Sequence, residues 1–191
     1  MPHTDVITRR GGTPKKAIDF IKENPTSIQN YKIIILHVGT NWLSHKEEWG
    51  LYLKLANGLL SKEAYDSQLA SLNPPPATGD ARIFRDTYQE LIDLVRETNP
   101  IAIILISSII PRAWDHDRRD LVRMSYNQLL KNLATQENVF FIRSYGPFFH
   151  KDKSLRKDLF DWDGLHLSNK RAMVLRTFFS QQIDKAKKRE N

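Results

Sequence analysis

Residues 31–41 read Tyr31-Lys32-Ile33-Ile34-Ile35-Leu36-His37-Val38-Gly39-Thr40-Asn41, and this stretch decides the fold. It begins as an almost unbroken apolar run, which is typical of a parallel strand covered by helices on both faces. It ends in Gly39, Thr40 and Asn41, which predict a loop at the carboxyl end of the strand. Ligands bind at that end of open α/β sheets, so these three residues are a candidate site. On local chemistry alone, a plain strand-ending turn is the more common alternative.

Apolar strand patterns and amphipathic helix patterns alternate along the rest of the chain. The sequence predicts strands at residues 5–9, 31–38, 101–110 and 138–142, and helices at 14–24, 80–98, 117–135 and 168–187. Strands that alternate with helices are joined by right-handed crossovers. The predicted fold class is therefore α/β, with a parallel sheet between two helical layers.

The length of 191 residues favours one domain. We place it at residues 1–187, followed by a basic tail end at 188–191. Residues 44–80 are predicted to be an insertion with two short helices, at 47–60 and 61–72. Because the insertion follows the candidate loop directly, it is interpreted either as a lid or specificity element or as a surface decoration.

Composition excludes several classes of protein. The chain has no cysteine, so it has neither a disulfide framework nor a thiolate zinc site, and no metal or cofactor is expected. The N-terminus does not resemble a signal peptide, and the apolar run at 101–110 is half the length of a membrane span. We therefore expect a cytoplasmic protein with no membrane partner.

The net charge of +7 raises the question of a nucleic-acid partner. Part of the excess lies in the basic tail and the rest is scattered, and the chain carries no RNA-binding signature. A solvated surface with a basic tail is the favoured interpretation. RNA binding is the alternative, and it predicts binding that persists when the basic tail is deleted.

A second informative stretch, Asp161-Trp162-Asp163-Gly164-Leu165-His166-Leu167-Ser168, precedes the last predicted helix. The carboxylate of Asp163 can accept a hydrogen bond from His166, which fixes the tautomer and leaves the other ring nitrogen as a general base. Gly164 permits the tight turn this requires. A surface turn with a capping aspartate explains the motif equally well. Proximity to the loop at residues 39–41, expected on the same edge of the sheet, favours the catalytic interpretation.

The two motifs in this order resemble the SGNH (GDSL-type) hydrolases, and most closely the SGNH domains of animal LINE-type retrotransposons. The resemblance implies a flavodoxin-like fold and the cleavage of acyl esters by a serine nucleophile, so a small acyl ester is the ligand it implies. It also implies a base at His166, a partner at Asp163, and a side-chain oxyanion donor at Asn41. A backbone oxyanion donor is implied at Gly11, with Gly12 as the alternate. The neighbouring residues His37, Thr40 and Ser168 are interpreted as structural.

The chain departs from this family at the nucleophile. The family serine lies in a Gly-Asp-Ser motif after the first strand, whereas these 191 residues contain no such motif and their first serine is Ser27. Position 42, usually aspartate in the family, is Trp42. Ser107 and Ser108 lie on another strand, which does not match the position of the family nucleophile.

The missing motif predicts an SGNH hydrolase-like domain that is truncated or catalytically impaired. Its sheet would lack the first strand, so the strands at residues 5–9 and 31–38 would either pair directly or leave an apolar edge open to self-association. A non-catalytic binding module and a retroelement-derived RNA-associated protein are the alternatives.

Overall fold

The computed structural model describes residues 12–43, 46–72, 77–113, 117–164, 166 and 169–188. The predicted strand at residues 5–9 and the candidate donor Gly11 lie outside them. In chain order the elements are α1 (Pro14–Glu23), β1 (Ile33–Leu36), α2 (Lys46–Ala56), α3 (Lys62–Ser71), α4 (Ala77–Thr98), β2 (Ile103–Ser107), α5 (Asp117–Leu133), β3 (Val139–Ile142) and α6 (Asn169–Lys187). Short 3₁₀ turns lie at Pro25–Ser27, Thr40–Leu43, Gly146–Phe148 and Lys157–Leu159.

The three described strands form a parallel sheet in the order β1-β2-β3. Ile33 lies opposite Ile103, and Ile104 lies opposite Val139. The predicted α/β class with a parallel sheet is confirmed. Among the described residues β1 is an edge strand, which explains why its isoleucines are only half-buried while β2 is buried throughout.

Alternate residues of the strands pack on opposite faces, because side chains point to alternate sides of a strand. Ile104 and Ile106 belong to the main core with the apolar faces of α1, α4 and α5. Ile103 and Leu105 pack on the other face with Phe178 of α6. Helices therefore cover both faces, which is the three-layer arrangement the apolar strands predicted.

The helices begin where the sequence chemistry favours a helix start. Thr13 caps α1 by accepting from the N–H of Lys16 at 3.3 Å, and Pro14 occupies the first turn, where its missing N–H costs nothing. Ser61 caps α3 in the same way through the N–H of Ala64 at 3.2 Å. The helices α2 and α3 match the two predicted in the insertion. No helix in the described ranges is long and apolar enough to span a membrane.

The second strand is shorter than predicted, since β2 ends at Ser107 rather than at residue 110. Ser108 still donates its N–H to the Ile142 carbonyl of β3 at 3.0 Å. Beyond Ser108 the chain stays buried but bonds to a side chain instead of a neighbouring strand. The N–H of Ile109 donates to Asn127 Oδ1 at 2.7 Å, and Asn127 Nδ2 donates to the Ile109 carbonyl at 3.2 Å. The Asn127 amide thus satisfies the backbone as a strand would. It directs the chain along the carboxyl edge of the sheet.

Candidate active site

The turn at residues 161–166 is built by short-range backbone hydrogen bonds. The N–H of Asp161 donates to the carbonyl of His166 at 2.8 Å, and the N–H of Gly164 donates to the carbonyl of Asp161 at 2.8 Å. Gly164 has a φ of +65°, a conformation that glycine adopts without steric cost. Its carbonyl accepts from the N–H of Ala113 at 2.9 Å. The turn is therefore anchored to the segment that follows β2.

Asp163 holds His166 through both carboxylate oxygens. The backbone N–H of His166 donates to Oδ1 at 2.9 Å, and the ring Nδ1 lies 2.5 Å from Oδ2. An ionised carboxylate only accepts, so this contact keeps the proton of a neutral imidazole on Nδ1 and leaves Nε2 as the basic nitrogen. The side chain of Asp163 is 9% exposed, whereas that of His166 is 71% exposed. A buried carboxylate thus orients an imidazole that is open to solvent.

The loop after β1 begins at Gly39, where the backbone leaves the sheet. Gly39 has a φ of +124°, and a Cβ atom there would lie 3.2 Å from Ile109 Cγ1 and 3.4 Å from Phe84 Cε2. The positive φ and the lack of room for a Cβ atom therefore both favour glycine at this position. The N–H of Trp42 donates to the Gly39 carbonyl at 3.0 Å and closes the 3₁₀ turn that carries Asn41. Asn41 accordingly lies at the carboxyl end of β1, although the structure does not describe its side chain.

Trp42 shows how the departure from the family aspartate is accommodated. Its ring packs edge-on against Phe84 of α4, with 5.5 Å between the centroids, and joins the main core. Apolar packing therefore supports this loop in place of a polar contact. Gly12, the alternate backbone donor, is half-buried and directly precedes Thr13, the N-cap of α1.

A hydroxyl network lies at the carboxyl ends of β2 and β3. Ser144 Oγ lies 2.6 Å from Ser107 Oγ and 2.9 Å from Ser108 Oγ, and all three serines are buried. His37 Nδ1 lies 2.7 Å from Ser107 Oγ, and its ring packs edge-on against Phe179 at 5.4 Å. These serines are engaged with one another and with His37. The sequence indicated a structural role for His37 but did not reveal that it forms one network with the three serines.

Desolvation by the surrounding protein lowers the pKa of His37 to about 4. His37 is nevertheless an exposed residue, and solvent reduces the size of this effect. The direction of the pKa shift follows from the packing, and the lowered pKa leaves the ring neutral at neutral pH.

The insertion contributes a side chain that the sequence did not single out. Tyr52 of α2 packs against the apolar cluster that includes Ala113, the residue bonded to Gly164. Partial burial and, secondarily, the negative charge of Asp163 raise the pKa of the Tyr52 phenol. A tyrosine on an amphipathic helix is usually core packing, so no sequence pattern distinguishes it as a neighbour of a distant turn.

The Asp163–His166 turn is suited to proton transfer. His166 offers an oriented basic nitrogen, and Asn41 lies on the loop that ends β1. Across the described residues, no group of three or more His, Asp or Glu side chains is arranged to hold a metal ion.

Comparison with known proteins bears on the family and the fold of the chain. The model of the GDSL-like lipase/acylhydrolase family matches residues 8–170. A crystal structure from Bacteroides fragilis NCTC 9343, provisionally assigned as an acylhydrolase, is 14% identical with a TM-score of 0.58, over 92% of this chain and 71% of that chain. A structure from Streptococcus pneumonia, provisionally assigned as a platelet activating factor, is 17% identical with a TM-score of 0.59, over 95% of this chain and 73% of that chain. No curated protein sequence matches the chain.

Proposed function

The chain belongs to the GDSL-like lipase/acylhydrolase family, and from this membership we propose that it is an ester-hydrolase-type domain with His166 as its general base. The observation that carries the proposal is the double contact of Asp163 with His166, at 2.9 and 2.5 Å. A buried carboxylate that selects the imidazole tautomer is the arrangement that activates a hydroxyl nucleophile. The acyl ester is the substrate class that this chemistry favours.

In the proposed reaction, Nε2 of His166 takes the proton of a nucleophilic hydroxyl as its oxygen attacks the ester carbonyl carbon. The carbonyl oxygen becomes negatively charged, and the side-chain amide of Asn41 and the backbone N–H of Gly11 donate to it. The tetrahedral intermediate then collapses, the bond to the alcohol oxygen breaks, and the imidazolium returns its proton to that oxygen. Each oxyanion donor of this kind contributes about 3–4 kcal/mol to the transition state.

These 191 residues do not supply the nucleophile in the form the family uses, since they contain no Gly-Asp-Ser motif. Ser107, Ser108 and Ser144 are buried in their own hydrogen-bond network. We therefore propose that this chain by itself binds acyl esters but hydrolyses them poorly. The motif pair supports the further proposal that the chain is related to the SGNH domains of animal LINE-type retrotransposons.

The test is the hydrolysis of short-chain p-nitrophenyl esters by the 191-residue chain, by the His166→Ala variant, and by a chain extended with a family first strand that carries the Gly-Asp-Ser serine. We expect no appreciable turnover from the first two and turnover from the extended chain. Turnover by the 191-residue chain that is lost in His166→Ala would refute the proposed impairment. An extended chain that folds but stays inactive would refute the proposed base.

A binding module is the second candidate, favoured because His166 is exposed whereas Ser107, Ser108 and Ser144 are buried. It predicts saturable ester binding by the extended chain without turnover, whereas the hydrolase predicts both. Direct binding measurements run in parallel with the esterase assay separate the two.

A further inference from the structure

The α2–α3 hairpin, residues 46–72, connects the two halves of the proposed site. Its first helix begins at Lys46, a few residues after Asn41 on the loop that ends β1. The two helices pack on each other, and Leu51 of α2 and Tyr65 of α3 are buried. The hairpin is therefore a packed element with its own apolar contacts, and its start is tied to the oxyanion loop.

The far side of α2 reaches the turn that carries the base. Tyr52 packs against a cluster formed by Ile110, Ala113, Phe148, Leu159, Phe160 and Leu175, which spans the segment after β2, the loop before the turn, and α6. Ala113 of this cluster donates its N–H to the carbonyl of Gly164, between Asp163 and His166. Partial burial and, secondarily, the negative charge of Asp163 raise the pKa of the Tyr52 phenol, which is consistent with this packing.

Two aromatic side chains thus flank the polar pair without being buried in the core. Tyr52 is half-buried, and Trp162, next to Asp163 in the chain, is 72% exposed. Binding sites for small organic ligands combine apolar and aromatic walls with a few oriented polar groups.

We propose that Tyr52 is a specificity-determining residue whose ring forms the wall against which the acyl chain of the ester packs beside Asp163 and His166. The inference rests on the proposed function and adds to it that the insertion at residues 44–80 selects the acyl group. Longer acyl chains gain apolar contact with the ring, whereas an acetyl group is too short to reach it.

The probes are methyl acetate and methyl hexanoate, and binding is followed through the ring resonances of His166, assigned by their loss in His166→Gln. We expect Tyr52→Ala to weaken binding of methyl hexanoate about tenfold, the effect of losing roughly two methylene contacts, and to change binding of methyl acetate less than about twofold. Tyr52→Phe keeps the ring and is expected to bind both esters normally. The matched control is Leu59→Ala, which removes a side chain that is 76% exposed on the same hairpin.

Hexanoate binding that is unchanged in Tyr52→Ala would overturn this inference and leave the proposed function standing. If neither ester perturbs His166 in the unaltered chain, both fall together. Should Tyr52→Ala fail to fold, Tyr52→Leu replaces it, because leucine still packs on the cluster but offers the acyl chain less surface, so it should weaken methyl hexanoate and spare methyl acetate. The proximity itself is checked by Asp163→Asn, which is expected to lower the pKa of the Tyr52 phenol. An unmoved phenol pKa would also overturn the inference.

Discussion

Asp163 and His166 are joined twice, since one carboxylate oxygen accepts from the backbone N–H of His166 at 2.9 Å and the other lies 2.5 Å from its ring Nδ1. The capping aspartate and the orienting aspartate are therefore the same group. The backbone contact fixes the position of the carboxylate, and the remaining oxygen is aimed at the ring as a consequence. This coupling makes the imidazole tautomer sensitive to a single substitution.

Asp163→Asn is expected to reverse the tautomer of neutral His166. The backbone N–H of His166 requires an acceptor, so the amide oxygen of asparagine takes the place of Oδ1 and turns its NH₂ group toward the ring. Nδ1 must then accept, and the proton moves to Nε2, which removes the basic nitrogen from the substrate side. The measurement is the pair of ring ¹⁵N shifts at alkaline pH. A dominant Nδ1–H form in the variant would contradict the orienting role.

Gly39→Ala is expected to destabilise the domain by about 1–3 kcal/mol, because φ at this position is strained for alanine and a Cβ atom would press on Ile109. The matched control is Gly50→Ala in α2, where a Cβ atom meets nothing within 4 Å. Removing a helical glycine should instead stabilise by about 0.5–1 kcal/mol. Urea unfolding of the two variants measures both effects. Equal effects of the same sign would show that Gly39 is not constrained.

Asn41→Ala tests the oxyanion donor in the chain extended with the family first strand. We expect kcat to fall about 100-fold or more, because the donor acts on charge that develops only in the transition state. KM for the p-nitrophenyl ester should change little. The stability of the extended chain should also hold, since alanine is compatible with the 3₁₀ turn. An unchanged kcat would remove Asn41 from the site.

Acid is expected to weaken the hydroxyl network through His37. Its pKa is lowered in the folded protein, to about 4 against 6.5 in the unfolded chain, because packing desolvates the ring. Between these values the unfolded chain binds more protons, so the stability that neutral His37 supports is present above about pH 6.5 and is lost as the pH falls toward about 4. The groups packed on the ring, Ser107 and Phe179, do not titrate in this range.

The check is the free energy of unfolding at about pH 7 and about pH 4.5 in the unaltered chain and in His37→Gln. The glutamine side chain would retain an acceptor for Ser107 but would not titrate, so the variant should lose less stability in acid. An identical acid dependence in both proteins would show that His37 does not contribute to it.

The strand and helix pattern was predictable because it rests on local chemistry. The apolar run at residues 31–38 and the spacing of the helix from 80 to 98 specify elements that the structure places within a few residues of the predictions. The end of β2 was not predictable, because the apolar run continues to residue 110 while the backbone partner changes from a strand to the side chain of Asn127. That exchange depends on where α5 packs.

The candidate site also has one part that could be predicted from the sequence and another that could not. The spacing of Asp163 and His166 is local, so the sequence itself predicted their hydrogen bond, which the structure contains. The contact of Tyr52 with the cluster around the turn joins residues far apart in the chain, and it follows from the path of the insertion. The network of His37 with three serines could not be predicted either, because it depends on the register in which the strands pair.

By itself, the sequence determined the alternating strands and helices, the glycine at the end of β1 and the carboxylate–imidazole turn, because each of these depends on residues close together in the chain. The tertiary structure decided which side chains meet at the carboxyl edge of the sheet. It brought Tyr52 toward Asp163, enclosed Ser107, Ser108 and Ser144, and left His166 open to solvent. Packing between distant elements sets these relationships, and no local pattern of residues encodes them.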